Sequence, residues 1–245
     1  MRTEFLGLDY DPLDTEEAVA WLAARPADAP FAYIITPNVD HVVRITQRSA
    51  DDPVWSAYRA AALCLCDSRI LAKLAALRGV KLKIAAGSDI TAQLLDRGLT
   101  PGDRLCVIGG DAAMLADLRA RWPQQQWLHH QPPMGLLTNP AAMAEAAAFV
   151  ADARARYTFL AIGSPQQELL AQAIVALGRA IGTGLCIGAS IEFVTGRKAR
   201  APLWMRRLSL EWLHRLASEP RRLWRRYLVE GPRIALLVWR WHRKV

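Results

Sequence analysis

The residue best suited to do chemistry is Asp67. It closes the apolar run 62–66 (ALCLC), which reads as a buried strand, so its carboxylate should emerge where that strand ends. A carboxylate at the carboxyl edge of a sheet is well placed to act as a general base. The same position also suits the cap of a following helix, and position alone favours the cap. Other polar residues follow apolar runs in the same way. They are Thr36 and Asn38, Gly87-Ser88-Asp89, Gly109-Gly110-Asp111, Gly135, Gly163 through Glu168, and Gly188 through Glu192. Gly-rich turns that precede helices can offer backbone N–H groups to phosphate oxygens. Glycine is also common at such turns for steric reasons alone. Neither GxGxxG nor GxxxxGK(S/T) occurs, which argues against an NAD enzyme and a P-loop NTPase. His41 falls inside a helical pattern and reads as a packed residue. His129 and His130 are adjacent and lack the spacing of a metal-ligand set.

The elements that must position these residues alternate. Runs 31–36, 62–66, 81–86, 104–108, 126–130, 157–162 and 184–187 read as strands. Segments 38–48, 68–78, 90–97, 112–122, 140–156 and 166–177 read as helices. Strands separated by helices need crossover connections, hence an α/β fold with a largely parallel, doubly wound sheet covered by helices. After Gly196 the pattern becomes all-helical over 202–216, 220–228 and 232–243, where Pro202, Pro220 and Pro232 each suit a first turn. The expected organisation is a body, 1–196, and a basic helical appendage, 197–245.

The chain has 245 residues, 52% hydrophobic and 22% charged, which excludes a disordered polyelectrolyte. Its formal charge of +8 is unevenly spread: residues 1–196 carry a net −3 and residues 197–245 a net +11. Five of the nine tryptophans, Trp204, Trp212, Trp224, Trp239 and Trp241, fall in that basic tail, where arginine greatly outnumbers lysine. Arginine forks bind phosphate bidentately and tryptophan favours a half-wet boundary, so the tail is suited to meeting anions. Those anions could belong to nucleic acid, a lipid surface or a diphosphate ligand. No apolar run reaches the roughly 18 to 20 residues of a membrane span, and the first twenty residues carry no signal-peptide core. Cys64, Cys66, Cys106 and Cys186 lie in apolar stretches without CxxC spacing and read as buried free thiols.

Several segments together resemble the WecG/TagA/CpsF glycosyltransferases, glycosyltransferase family 26. The most specific is FVTGRKARAPLWMRRLSLEWLHRLASEPRRLWRRY, residues 193–227, joined by TPNVDH at 36–41, AGSD at 86–89, PPMG at 132–135 and GSPQQE at 163–168. The resemblance implies a Rossmann-like body whose helical appendage covers the active site and meets the membrane. It implies an inverting transferase that moves a sugar from a UDP-sugar to a saccharide on undecaprenyl diphosphate, without a required metal or other cofactor. Such an enzyme would sit peripherally on the inner face of the cytoplasmic membrane. By the resemblance, Asp67 falls on the family's base, Thr36 and Asn38 on its active-site Thr-x-Asn, and Gln167 on a pocket glutamine. Arg215, Arg222 and Arg225 fall on appendage arginines that bind diphosphate. Gly87, Ser88, Asp89 and Gly135 lie in the matching turns and complete the expected substrate-binding set. For Asp67 the resemblance turns the balance from cap to base.

Two departures stand out. The family's Ala-Asp-Gly becomes Cys66-Asp67-Ser68, followed by Arg69, and its Arg-Val-x-Gly becomes Ile84-Ala85-Ala86-Gly87. The second removes an arginine that would reach phosphate, for which Lys83 and Arg69 are the nearby candidates to substitute. Segment 232–245 is short, apolar and basic. It could lie in the bilayer interface with Trp239 and Trp241 at headgroup depth and Arg240, Arg243 and Lys244 on anionic lipid. The less favoured alternative is an ordinary helix packed on the body or on a second copy of the chain, which keeps a homo-oligomer open. A polyanion-binding protein that uses the arginine-rich tail is the competing class. The regular tryptophans suit a membrane boundary better than nucleic acid, so no nucleic-acid partner is expected. A Rossmann oxidoreductase is disfavoured by the missing fingerprint.

Overall fold

The structure is a computed structural model that describes residues 1–241. A short antiparallel hairpin, β1 (Thr3–Phe5) and β2 (Leu8–Tyr10), opens the chain. Six further strands follow: β3 (Ala32–Ile35), β4 (Leu63–Cys64), β5 (Arg104–Ile108), β6 (Gln126–His130), β7 (Tyr157–Leu160) and β8 (Thr183–Cys186). They form one sheet in the order β4-β3-β8-β7-β5-β6, and every pairing in it is parallel. The expected α/β architecture is the observed one.

Each strand feeds alternate side chains to opposite faces, and the inner strands are buried on both, which is why they read as largely apolar runs. Ile34, Leu105, Val107, Phe159 and Leu185 pack on one side. There they meet helices α1 (Thr15–Ala24), α5 (Gly87–Arg97) and α6 (Ala112–Arg121), through Leu22, Leu94 and Leu118. Tyr33, Ile35, Cys106, Ile108 and Leu160 pack on the other side. There they meet α2 (Val39–Thr46), α4 (Arg69–Ala76), α7 (Pro140–Ala153) and α8 (Gln166–Ala176), through Val43, Leu71, Val150 and Leu170. Helix α3 (Pro53–Arg59) buries Tyr58 on the same side. All four cysteines are buried free thiols, and burial pushes Cys66 and Cys106 up to about 12.

Three differences from the sequence reading have clear causes. The expected strand 81–86 contributes only one parallel bridge, Cys66 to Ile84, because β4 is itself two residues long and offers little edge. Helix α1 was not expected, although Asp14 and Glu17 form a complete capping box at its start. The expected helix 202–216 breaks into α10 (Leu203–Arg207) and α11 (Glu211–Ser218), because Ser209 between them turns left-handed at φ 66°.

After α9 (Ser190–Val194), the C-terminal helices α10 and α11 continue into α12 (Pro220–Trp224), a π-helical turn over Arg225–Glu230, and α13 (Arg233–Arg240). Helix α13 packs against α2 and α4 and buries Ile234 and Val238. Trp241 is not at a free surface, as the interfacial reading would have it. Its ring sits edge-on to Phe5 at 5.0 Å, and its Nε1 donates to Glu4 Oε1 at 3.3 Å. Trp239 does face outward, 70% exposed. Arg243 and Lys244 lie outside the described residues. Among the described residues, no helix is long and apolar enough to cross a membrane.

Candidate active site

The carboxyl ends of β3, β4, β7 and β8 converge beneath the C-terminal helices, at the edge where parallel sheets bind ligands. Asp67 lies here, and it is not a cap for its own helix. Ser68 performs that role, its Oγ accepting from Leu71 N at 3.2 Å. Asp67 Oδ1 instead accepts the Gly87 N–H, the first of α5, at 3.2 Å. Gly87 is required at this spot, since a Cβ there would stand 2.8 Å from Thr36 Oγ1. Close packing of Gly87 against Thr36 thus brings the start of α5 within reach of Asp67.

Two cavities meet at Asp67. One, of about 620 Å³, is lined by Thr36, His41, Ser88, Gly163, Gln167 and Gly188 from the strand ends, and by Arg197, Lys198 and Arg222 from the C-terminal segment. The other, of about 230 Å³, has apolar walls from Val39, Ile70, Ile84, Trp212 and Ile234, and holds Arg69, Arg200, Arg206, Arg215 and Arg226. Asn38, Asp67, Arg215 and Arg226 line both.

The electrostatics favour a base that gains and loses its proton near neutrality. Burial pushes the Asp67 carboxyl up to about 7. The charge of Glu211 adds to that rise, while Arg215, the Gly87 N–H and Arg200 oppose it. Arg215 is shared, donating to Glu211 Oε1 at 2.8 Å and stacking over the Phe193 ring at 5.1 Å. His41 caps its own helix, its Nδ1 accepting the Asn38 N–H. Burial and the nearby Arg226 and Arg44 push it down to about 3, so the ring is neutral. Asn38 caps the same helix by accepting from Asp40 N and His41 N. Gln167, 1% exposed, accepts from Gly188 N at 2.9 Å and donates to Glu168 Oε1 at 2.9 Å, which fixes its amide across the ends of β7 and β8.

Of the site residues expected from sequence, Thr36, Asn38, Asp67, Ser88, Gln167, Arg215 and Arg222 come together around the cavities. Gly87 touches the site through its N–H. Asp89 lines the apolar-walled cavity, but both its oxygens are taken. Arg206 Nη2 donates to each at 2.8 Å, and Arg200 Nη1 donates to Oδ1 at 2.8 Å. Burial alone would raise this carboxyl; the two guanidiniums outweigh it and hold it below its ordinary range. Gly135 is exposed and lines neither cavity, because its loop precedes the single helical turn Leu136–Thr138 outside the cleft. Arg225 is also outside, paired with Glu230 and directed to solvent. Its neighbour Arg226 takes the inward position, 3.1 Å from Asp40. Both arginines lie on the π-helical turn and leave it in different directions, and sequence spacing does not carry that signal. Lys83 is engaged with Glu17 at 2.7 Å, away from the cavities, whereas Arg69 is on the wall of one.

Among the described residues, no three His, Cys, Asp or Glu side chains cluster in a way that could hold a metal ion. One comparison with known proteins bears on the whole chain: the family model described as "Glycosyl transferase WecG/TagA/CpsF family" matches residues 3–245.

Proposed function

The chain belongs to the WecG/TagA/CpsF glycosyltransferase family, whose members act in cell-surface polysaccharide synthesis, and from that premise we propose its reaction. It transfers a sugar, with inversion, from a UDP-sugar to a saccharide carried on undecaprenyl diphosphate, and it needs no metal. The observation that carries this reading is the position of Asp67 at the seam of two unlike cavities, one polar and one apolar-walled. A two-substrate displacement needs that arrangement, with a base where the two ligands meet.

In the proposed step the acceptor hydroxyl gives its proton to Asp67 as its oxygen attacks the anomeric carbon. The new glycosidic bond forms as the bond from that carbon to the diphosphate breaks, and UDP leaves with the electron pair. Charge growing on UDP is met by cations that line the polar cavity, Arg197, Lys198 and Arg222, which exchange their present pairs with Asp111, Asp117, Glu192 and Glu219 for the diphosphate. The C-terminal helices form an appendage that roofs the cleft, excludes water and limits donor hydrolysis. Its outer side carries Leu203, Trp204, Leu208, Trp224, Leu228 and Trp239 exposed among arginines, a surface suited to the anionic inner face of the cytoplasmic membrane.

The test is a panel of UDP-sugars offered to the full chain in liposomes with a polyprenyl-diphosphate-linked sugar. One donor should release UDP and lengthen the lipid-linked product, and Asp67→Asn should cut that rate by about 10³-fold. An Asp67→Asn enzyme with wild-type rate, or UDP release without a lipid product, would overturn the proposal.

A further inference from the structure

The charges around the apolar-walled cavity can be paired off. Its five arginines face four carboxylates: Asp40, Asp67, Asp89 and Glu211. Asp89 takes both Arg200 and Arg206, Glu211 takes Arg215, and Asp40 takes Arg226. Two groups are left over, Asp67 and Arg69, two residues apart in sequence. Asp67 is accounted for by the backbone N–H of Gly87 and its role as base. Arg69, among the described residues, has no side-chain or backbone partner, although it lies on the cavity wall.

Its setting favours an anion twice over. Arg69 is the first residue of α4, directly after the Ser68 cap, so its backbone is fixed and the helix field at this end is positive. The walls beside it, Ile70, Ile84, Trp212 and Ile234, are apolar, which suits a hydrocarbon-bearing anion. We propose that Arg69 is a specificity-determining residue that engages the diphosphate of an isoprenoid-linked acceptor in this cavity. The role in transfer rests on the reading above; the binding does not.

The test measures binding by calorimetry on the full chain, with farnesyl diphosphate, farnesyl monophosphate and UDP as probes. Wild type should prefer the diphosphate lipid to the monophosphate. Arg69→Gln should weaken farnesyl diphosphate about tenfold and erase that preference, with Arg69→Lys intermediate and UDP affinity unchanged within about twofold. Matching thermal melts show that the variants fold, as expected for an exposed side chain. The proposal is overturned if wild type does not bind farnesyl diphosphate, if Arg69→Gln binds it like wild type, or if UDP affinity falls instead. If Arg69-dependent binding holds but no donor yields product, Arg69 stands and the transferase reading fails. If transfer proceeds with an unchanged acceptor KM in Arg69→Gln, the reading stands and Arg69 fails.

Discussion

The sheet and the C-terminal helices are held together by different forces. The sheet is clamped by two apolar layers, and β7 and β8 are buried along their whole length. From α10 through the π-helical turn, the C-terminal helices bury a single side chain, Leu223, and otherwise lean on ion pairs. Pairs to the body include Arg197 on Asp111 and Asp117, Lys198 on Glu192, Arg200 and Arg206 on Asp89, and Arg226 on Asp40. Partly exposed ion pairs contribute far less than buried apolar area, so this layer sits at the low end of the molecule's local stability. The rigid part presents Asp67, the proposed base, and the loosely held part supplies the arginines beside it.

The sharpest way to break that contrast is to remove the loose layer. A chain ending after Gly196 should keep a cooperative melt at a lower temperature, because the helices on both faces of the sheet remain although the buried contacts of Leu223, Ile234 and Val238 go. It should lose transfer by on the order of 10³-fold or more, since Arg215, Arg222 and Arg226 go with the roof. Full activity in the truncated chain, measured by UDP release, would show that the helices are dispensable.

The next largest effect is pH dependence, since Asp67, as the proposed base, must be ionised to act. With its carboxyl pushed up to about 7, kcat/KM should fall about tenfold per pH unit below that value. Stability should run the opposite way. The folded state holds this proton more tightly than the unfolded chain. The group's stabilising contribution is therefore present below the unfolded value of 3.8 and is lost as pH rises through about 7. Asp67→Asn should accordingly be more stable than wild type above neutrality, by on the order of 1 kcal/mol, and indistinguishable from it in acid. Equal melts across the whole range would show that burial does not set the carboxyl's behaviour.

A smaller effect isolates the ion pairs. Asp89→Asn removes the carboxylate that ties Arg200 and Arg206 to α5 while leaving the base and the strand ends intact. Hydrogen exchange in α10 and α11 should quicken about tenfold, with the sheet unchanged and transfer reduced severalfold. Unchanged exchange would mean that the helices are held by something other than this latch.

The same contrast explains what the sequence could disclose. Strands buried on both faces wrote themselves as apolar runs, and the residues just after them, Thr36, Asn38, Asp67 and Gln167, line the cavities. Helix α1 carried its capping box in plain view at Asp14 and Glu17. In the C-terminal helices the signal failed, because position along a helix does not say which arginine turns inward. Arg225 and Arg226 are adjacent and chemically alike, and only their placement in the fold separates them. Pairing also stayed hidden: that Asp89 answers two arginines more than a hundred residues away is a property of the fold.

A contrast of the same kind lies within one helix, where the two forces meet. Ile234 and Val238 of α13 face α2 and α4 and are 5% exposed, while Trp239 is 70% exposed on the opposite side. Ile234→Ala removes buried methyl groups and should cost about 2 kcal/mol or more in denaturant unfolding. Trp239→Ala leaves the packing intact and should change stability by less than about 0.5 kcal/mol. On vesicles containing anionic lipid the order should reverse. Trp239→Ala should weaken partitioning severalfold, because an indole at the headgroup boundary has no substitute there, whereas Ile234→Ala should partition like wild type at temperatures where it is folded. A Trp239→Ala protein that partitions unchanged would show that the outward face of α13 does not meet lipid, and that its exposed apolar residues are covered by protein instead.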